Sequence, residues 1–306
     1  MLRHEIKIAG PAVGKDWLSA PLLADLLRVM VEGAQGALRF RLEGRSRAKG
    51  SKPAWLRSAA EFHFVQSLEP GVIHLEARAL KDALRERFRQ RDLFEAVNPE
   101  KSALDLFEDG LEDALKGNAD SDLFDDGLAA TFSEFRDLYG EGLESIEIVN
   151  GRTVPVSPEG LNRVEALLRQ TPAPRAIRVA GELDAIRYSD RMFELVLATG
   201  EKLRGVAEDV DERELKTLWG KPAVISGMAI FRPSGSLLRI EARHISAATG
   251  DDLSVWGAVP KPLAQQFDAA ALRIPQGPRT GLNAILGRWP GDETDAMVGR
   301  ALEDLS

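Results

Sequence analysis

The side chains that could do chemistry in this chain are four histidines, a run of carboxylates and a basic loop. The chain has no cysteine, which excludes disulfides, thiolate nucleophiles and cysteine-ligated metals. None of the histidines has a second histidine or a carboxylate at ligand spacing on a helix, and all fall in predicted strands: His4, His63, His74 and His244. We therefore expect structural or surface histidines and no metal site.

A dense run of carboxylates occupies residues 105–127, "DLFEDGLEDALKGNADSDLFDDG". A calcium loop needs oxygen ligands at alternate positions and a glycine, and "NADSDLFDDG" lacks that register. Five charged residues instead recur at helical spacing between apolar ones: Asp105, Asp109, Glu112, Asp113 and Lys116. The spacing predicts the solvated face of a helix.

Basic side chains cluster between residues 41 and 57, around "EGRSRAKGSKPAW". Contacts to nucleic-acid phosphates need such clusters, and an aromatic ring can stack on a base. The candidate nucleic-acid residues in this basic loop are Arg45, Arg47, Lys49, Lys52 and Trp55.

Familiar enzyme motifs are absent from the sequence. There is no GxGxxG after a strand, no Walker A sequence, no HExxH and no GxSxG, so we expect a protein that is not an enzyme and carries no cofactor. The first residues lack the apolar stretch of a secretory signal, and no apolar run approaches the about 20 residues that span a bilayer. These features predict a cytoplasmic protein of bacterial type without a membrane segment.

The net charge of −8 is unevenly distributed along the 306 residues. Residues 1–90 carry 16 Lys and Arg against 10 Asp and Glu, whereas residues 91–145 carry 4 against 16. Attraction between these two stretches is the simplest interpretation.

The elements that position these residues indicate an α+β fold, beginning with an N-terminal α+β domain over residues 1–170. A strand at residues 2–10 precedes a helix with Ser19 as a plausible N-cap and Pro21 in its first turn. A hairpin follows at 61–80, then helical patterns near 81–94, 101–116 and 121–139. Asn150-Gly151 joins a strand pair, Pro158 opens another helix, and "TPAPR" marks a boundary.

Residues 175–248 predict the element order β-β-β-α-β-β, with Asp211 as the cap of the helix. This is the order of the OB-fold, a small five-stranded barrel. We therefore expect an OB-like β-barrel domain, whose basic and aromatic residues keep a nucleic-acid function open.

Residues 249–306 are rich in Pro and Gly and predict an extended, partner-binding tail. The tail ends in a short amphipathic helix, whose apolar face has the spacing of Met297, Val298, Ala301, Leu302 and Leu305. So short a helix is marginal alone in water. It must therefore dock on its own chain, on a second copy or in the groove of a partner, with Trp289 as the aromatic anchor.

The last 26 residues, "GLNAILGRWPGDETDAMVGRALEDLS", resemble the C-terminal tails of bacterial antitoxins encoded beside PIN-domain ribonuclease toxins. The resemblance centres on "WPGDETD" and the short acidic and apolar helix behind it. The barrel segment is similar to domains in larger bacterial proteins that carry the same tail. The N-terminal ribbon-helix-helix or looped-hinge module of typical antitoxins is missing, so the resemblance does not extend to regulation of a promoter.

The resemblance implies an inhibitor whose tail wraps over the toxin, blocks its RNA groove and sets an arginine against its metal-binding carboxylates. The candidate partner-binding residues are Arg279, Arg288, Trp289, Asp292, Asp295, Met297, Val298, Arg300, Leu302 and Leu305. The alternative is a nucleic-acid-binding protein that acts through the OB-like domain and the basic loop. Assembly into homo- or hetero-oligomers and the role of residues 1–170 stay open.

Overall fold

The computed structural model describes residues 1–15, 17–48, 50–65, 69–88, 97–187, 191–207 and 210–263, together with Thr294, Ala296, Met297 and Arg300. The chain divides into two compact units, Met1–Leu263 and Ala264–Ser306. No helix among the described residues is both long enough and apolar enough to pass through a bilayer.

The first 170 residues combine an antiparallel sheet with a layer of helices. The strands are β1 (Leu2–Ala9), β2 (Phe62–Val65), β3 (Val72–Ala77), β4 (Ser145–Val149) and β5 (Thr153–Pro155), in the order β2-β3-β1-β4-β5. The helices found in the described part are α1 (Ala20–Glu43), α2 (Ala54–Ala59), α3 (Leu80–Ala83), α4 (Ala103–Leu115), α5 (Asp126–Ser133), α6 (Phe135–Gly140) and α7 (Pro158–Gln170).

The alternation of β1 sets which of its side chains enter the core. His4, Ile6 and Ile8 are buried, while the intervening residues carry charge toward the other face, as the two-residue period of a strand requires. Helices α1 and α4 approach closely at Gly33, where a Cβ atom would lie 2.1 Å from the Phe107 ring. This close packing holds α4 in the core that also contains Ile6 and Ile8 of β1.

Residues 175–247 form a closed five-stranded barrel. Its elements are β6 (Arg175–Arg187), β7 (Met192–Val196), β8 (Lys202–Val206), α8 (Glu212–Leu218), β9 (Pro222–Phe231) and β10 (Leu237–Ala247). The closed order is β10-β8-β7-β6-β9, with β10 and β8 parallel and the other pairs antiparallel. The predicted α+β class and the order β-β-β-α-β-β are confirmed, and the Asp211 side chain accepts a hydrogen bond from the Arg213 N–H at the start of α8.

Three predicted elements differ from the structure. The helix expected at 121–139 is two helices that start later, because Asp125 caps the start of α5, and Glu134 separates the end of α5 from the start of α6. The helix expected at 81–94 ends at Ala83 as α3, and residues 89–96 lie outside the described residues. The interval after Thr249, expected to be extended, begins with helix α9 (Gly250–Trp256), which a Thr249–Asp252 capping box stabilises.

Candidate functional site

Most of the predicted partner-binding residues lie outside the described part of the chain. These are Arg279, Arg288, Trp289, Asp292, Asp295, Val298, Leu302 and Leu305. The two that are described, Met297 and Arg300, are helical and exposed. Met297 is 52% exposed, and the Arg300 Nε–H donates to the carbonyl oxygen of Ala296 at 3.1 Å.

The described residues of the basic loop differ in their exposure. Arg47 and Lys52 are exposed, Arg45 is half-buried and Lys49 lies outside the described residues. The Lys52 ammonium donates to Gln35 Oε1 at 2.7 Å. Trp55 packs against the N-terminal core, with the guanidinium carbon of Arg87 6.0 Å from its ring centroid. One face of this indole is therefore covered.

A buried polar cluster, which we call the His4 cluster, joins β1, the start of α4 and the β4–β5 turn. Its members are His4, Ser102, Asp105, Glu108 and Asn150. His4 and Ser102 are fully buried and Glu108 is 2% exposed, while the Asp105 side chain retains 17% exposure. Each of His4, Asp105 and Glu108 offers a ligand atom within 4.8 Å of the other two, so this is the place in the described chain where a metal ion could be held.

Ser102 and Asp105 form the capping box of α4 within this cluster. The Ser102 N–H donates to Asp105 Oδ2 at 2.6 Å, and the Asp105 N–H donates to Ser102 Oγ at 3.1 Å. Ser102 Oγ also lies 3.1 Å from His4 Nε2 and 2.7 Å from Asp105 Oδ2. The helix start therefore fixes one side of the imidazole ring.

Glu108 and Asn150 surround the other imidazole nitrogen. His4 Nδ1 lies 2.6 Å from Glu108 Oε1. Asn150 Nδ2 lies 2.6 Å from Asp105 Oδ1, 3.2 Å from Glu108 Oε2 and 3.2 Å from His4 Nδ1. Two carboxylates thus share one imidazole and one amide.

The neighbouring basic side chains, Lys101 and Arg152, form ion pairs with a carboxylate one turn further along α4. Asp109 pairs with Lys101 and Arg152, each at 2.5 Å, and Arg152 also contacts Glu112 at 3.1 Å. Burial, the largest effect, lowers the pKa of Arg152, but Asp109, Glu112 and Glu108 together raise that pKa above its usual value. The expected solvated face of α4 is therefore wrong in part, because tertiary contacts cover and pair its carboxylates.

A second buried carboxylate, Asp125, lies where the N-terminal region meets the barrel. Its side chain is 2% exposed and accepts from Arg239 Nη1 of β10 at 3.2 Å. It also accepts from the Ser46 N–H at 3.0 Å and from the Leu128 N–H at 3.1 Å. Arg239 reaches Glu241 as well, at 3.0 Å. Every charge in this Asp125 cluster has a partner of opposite sign.

The loop between β9 and β10 extends this junction to the surface. Ser236 Oγ donates to Asp120 Oδ1 at 2.9 Å, Ser234 Oγ donates to the same oxygen, and the Ser234 N–H donates to the carbonyl of Ala119 at 3.2 Å. Arg232 pairs with Asp122. Hydrogen bonds from Ser234 and then Ser236 lower the pKa of Asp120.

Sequence reasoning missed both buried clusters. A signal for the first was present, because the alternation of β1 places His4 on the same side as Ile6 and Ile8. The carboxylates that meet it come from α4, about a hundred positions later, and only the tertiary fold brings them together.

Comparison of the chain with protein-family models, with characterised proteins and with solved structures finds no match.

Proposed function

We propose that this protein is a non-enzymatic inhibitor that binds a PIN-domain ribonuclease through its C-terminal residues and blocks the RNA groove. The resemblance of residues 281–306 to antitoxin tails supports the proposal. The observation that carries it is the position of Met297, an apolar residue of that pattern, with 52% of its surface exposed. An apolar side chain on a short exposed helical turn gains free energy when a partner groove buries it.

The chemistry of the segment suits such a partner. PIN nucleases hold divalent cations with clustered carboxylates, and a guanidinium pairs strongly with carboxylates once water is excluded. Arg288 and Arg300 are the proposed blocking residues, with Arg279 a weaker candidate. Trp289 supplies the aromatic anchor, and Asp292 and Asp295 favour the start of the helix through its dipole. Met297, Val298, Leu302 and Leu305 supply the apolar contact.

The alternative, nucleic-acid binding through the barrel and the basic loop, has less support in the described residues. In OB-type barrels the loop between the last two strands is part of the usual nucleic-acid surface. Here that loop contacts Ala119, Asp120 and Asp122 of the N-terminal region. Trp55, the proposed stacking residue, packs against the core.

The proposal predicts a PIN-domain reading frame beside the gene, and its product is the probe for the test. The full chain is titrated into an RNA-cleavage assay of that ribonuclease. We expect inhibition at about one chain per nuclease, weakened at least about tenfold by Met297→Asp and more by Trp289→Ala, since buried anchors dominate interfaces. Arg243→Ala, at an exposed barrel position, is the matched control and should inhibit normally.

Undiminished inhibition by the double variant Met297→Asp, Trp289→Ala would contradict the proposal. A second assay addresses the alternative. Salt-sensitive binding of single-stranded RNA that is lost when Arg45, Arg47 and Lys49 are replaced by Ala would favour the nucleic-acid function instead.

A further inference from the structure

We propose that Asn150 is a deamidation site that the folded chain keeps unreacted, and that it reacts when the β4–β5 turn separates from α4. The product cannot re-enter the His4 cluster, so the reaction permanently marks a chain whose N-terminal sheet has opened. This inference does not depend on the proposed function of the C-terminal residues. It rests on the Asn150-Gly151 pair and on the hydrogen bonds of the Asn150 amide.

The Asn150-Gly151 pair has the local chemistry of a reactive site. An asparagine followed by glycine cyclises readily, because glycine has no side chain to hinder the approach of its backbone nitrogen. Gly151 is exposed with φ at +66°, and a Cβ atom there would meet nothing within 4 Å. No other asparagine in the sequence precedes a glycine. The turn itself therefore leaves Asn150 free to react.

The reaction is a cyclisation followed by a hydrolysis. The Gly151 backbone nitrogen bonds to the side-chain carbonyl carbon of Asn150, and the amide nitrogen leaves as ammonia with the proton that Gly151 gives up. Water then opens the cyclic imide by adding its hydroxyl to either carbonyl carbon, while its other hydrogen returns to the Gly151 nitrogen. Asparagine and water thus give aspartate or isoaspartate at position 150 and release ammonia.

The folded chain holds the Asn150 amide away from this reaction. Its Nδ2 group donates to Asp105 Oδ1 at 2.6 Å and to Glu108 Oε2 at 3.2 Å. Both carboxylates are themselves fixed, Asp105 by the capping box of α4 and Glu108 by His4 Nδ1 at 2.6 Å. Cyclisation needs the Asn150 side chain to rotate toward Gly151, which breaks both bonds. Hydrogen bonds to carboxylates are among the stronger ones in proteins, so the fold slows the rotation.

The product does not fit the place that the amide occupied. A carboxylate at position 150 offers no hydrogen to Asp105 Oδ1 or Glu108 Oε2 and brings a third negative charge beside them. The neighbouring His4 and Ser102 are fully buried, and an unmatched charge in such surroundings is costly. Isoaspartate also adds a methylene group to the backbone of the turn. Deamidation therefore prevents the turn from closing on α4 again.

The test is peptide mapping by mass spectrometry of the full chain, incubated at mildly alkaline pH either folded or unfolded in urea. We expect Asn150 to deamidate at least about tenfold more slowly in the folded chain, the factor that one hydrogen bond to a carboxylate gives. Asp105→Ala removes the nearer acceptor and should speed the reaction of the folded chain several-fold, with circular dichroism to confirm the fold.

Asp125→Ala is the matched control. It removes a buried carboxylate from the start of α5, whose partners are Ser46, Leu128 and Arg239, and should leave the rate at Asn150 in the folded chain unchanged. The proposal is overturned if Asn150 deamidates as fast in the folded chain as in urea. It is equally overturned if Asp105→Ala does not change the folded rate, or if Asp125→Ala speeds the reaction as much.

Asn150→Asp is the second variant and mimics one product. It keeps the turn, since Asp-Gly suits a tight turn as Asn-Gly does. We expect it to unfold at a lower urea concentration than the natural chain at neutral pH, because its carboxylate meets those of Asp105 and Glu108. Equal stability of the two chains would mean that the product fits the cluster, and would also overturn the proposal.

Discussion

Two buried carboxylate clusters of this protein show opposite solutions to the same electrostatic problem. In the Asp125 cluster the carboxylate meets the guanidinium of Arg239 and two backbone N–H groups. In the His4 cluster, Asp105 and Glu108 share one imidazole and one amide. Asp125 and Asp105 both lie at the start of a helix, where each carboxylate also accepts a hydrogen bond from a backbone N–H group.

The difference shows two ways in which this fold holds a buried carboxylate, by an ion pair and by a network of hydrogen bonds. A buried carboxylate with a matched cation is complete within the chain, and removing the cation leaves an isolated buried charge. A buried pair of carboxylates without such a cation can instead be held by hydrogen bonds from an imidazole, an amide and a hydroxyl group, as in the His4 cluster. The similar helix-start environments make the two clusters a natural pair of controls for each other.

The largest effect on stability is expected in the Asp125 cluster. Arg239→Met removes the guanidinium and leaves Asp125 buried without a countercharge, so we expect the free energy of unfolding to fall by about 3 kcal/mol. Urea unfolding at pH 7 measures this. Arg243→Met, at an exposed position of the same strand, should change stability by no more than about 0.5 kcal/mol. Equal effects of the two variants would show that the Asp125 pair contributes nothing specific.

The smallest effect is expected at the exposed contact between the β9–β10 loop and Asp120. Replacing Ser234 and Ser236 by Ala removes the hydrogen bonds that lower the pKa of Asp120. A carboxyl group whose pKa is lower in the folded state stabilises the fold above its unfolded pKa, and that contribution disappears as the pH falls through the folded pKa. We expect a loss below about 1 kcal/mol at pH 7, since the site is exposed to solvent.

The pH dependence of this loss of stability distinguishes hydrogen bonding to the Asp120 carboxylate from a packing effect. Urea unfolding of the double variant and the natural chain should converge as the pH falls below 3.8, the ordinary value for this carboxyl group. A difference that is unchanged at acid pH would mean that the serines act through packing and not through the Asp120 carboxylate.

Local sequence patterns predicted much of the fold. Pro158 opens α7, Asp211 caps α8, and the β1 alternation and the strand order of the barrel follow from periodicity and turn residues. These features depend on neighbours within a few positions, so the sequence carries them directly. The capping box that starts α9 at Thr249 was also local, but the Pro- and Gly-rich composition around it concealed the helix.

The partners of charged residues could not be predicted in the same way. Attraction was expected between residues 1–90 and 91–145, and Arg28 does pair with Glu134. The buried Asp125 of the acidic stretch, however, pairs with Arg239 of the barrel. Charge counts along a chain give sign and density, whereas pairing depends on which surfaces meet in three dimensions.

The contrast between the two clusters is tested most directly by urea unfolding of the Asp125→Asn and Asp105→Asn variants. Both changes neutralise a helix-start carboxylate without changing its shape. We predict a loss of about 2–3 kcal/mol for Asp125→Asn, which breaks a buried ion pair. Asp105→Asn should cost less than about 1 kcal/mol, because relief of carboxylate repulsion offsets the weaker helix-dipole interaction. A cost for Asp105→Asn equal to or above that for Asp125→Asn would contradict the account.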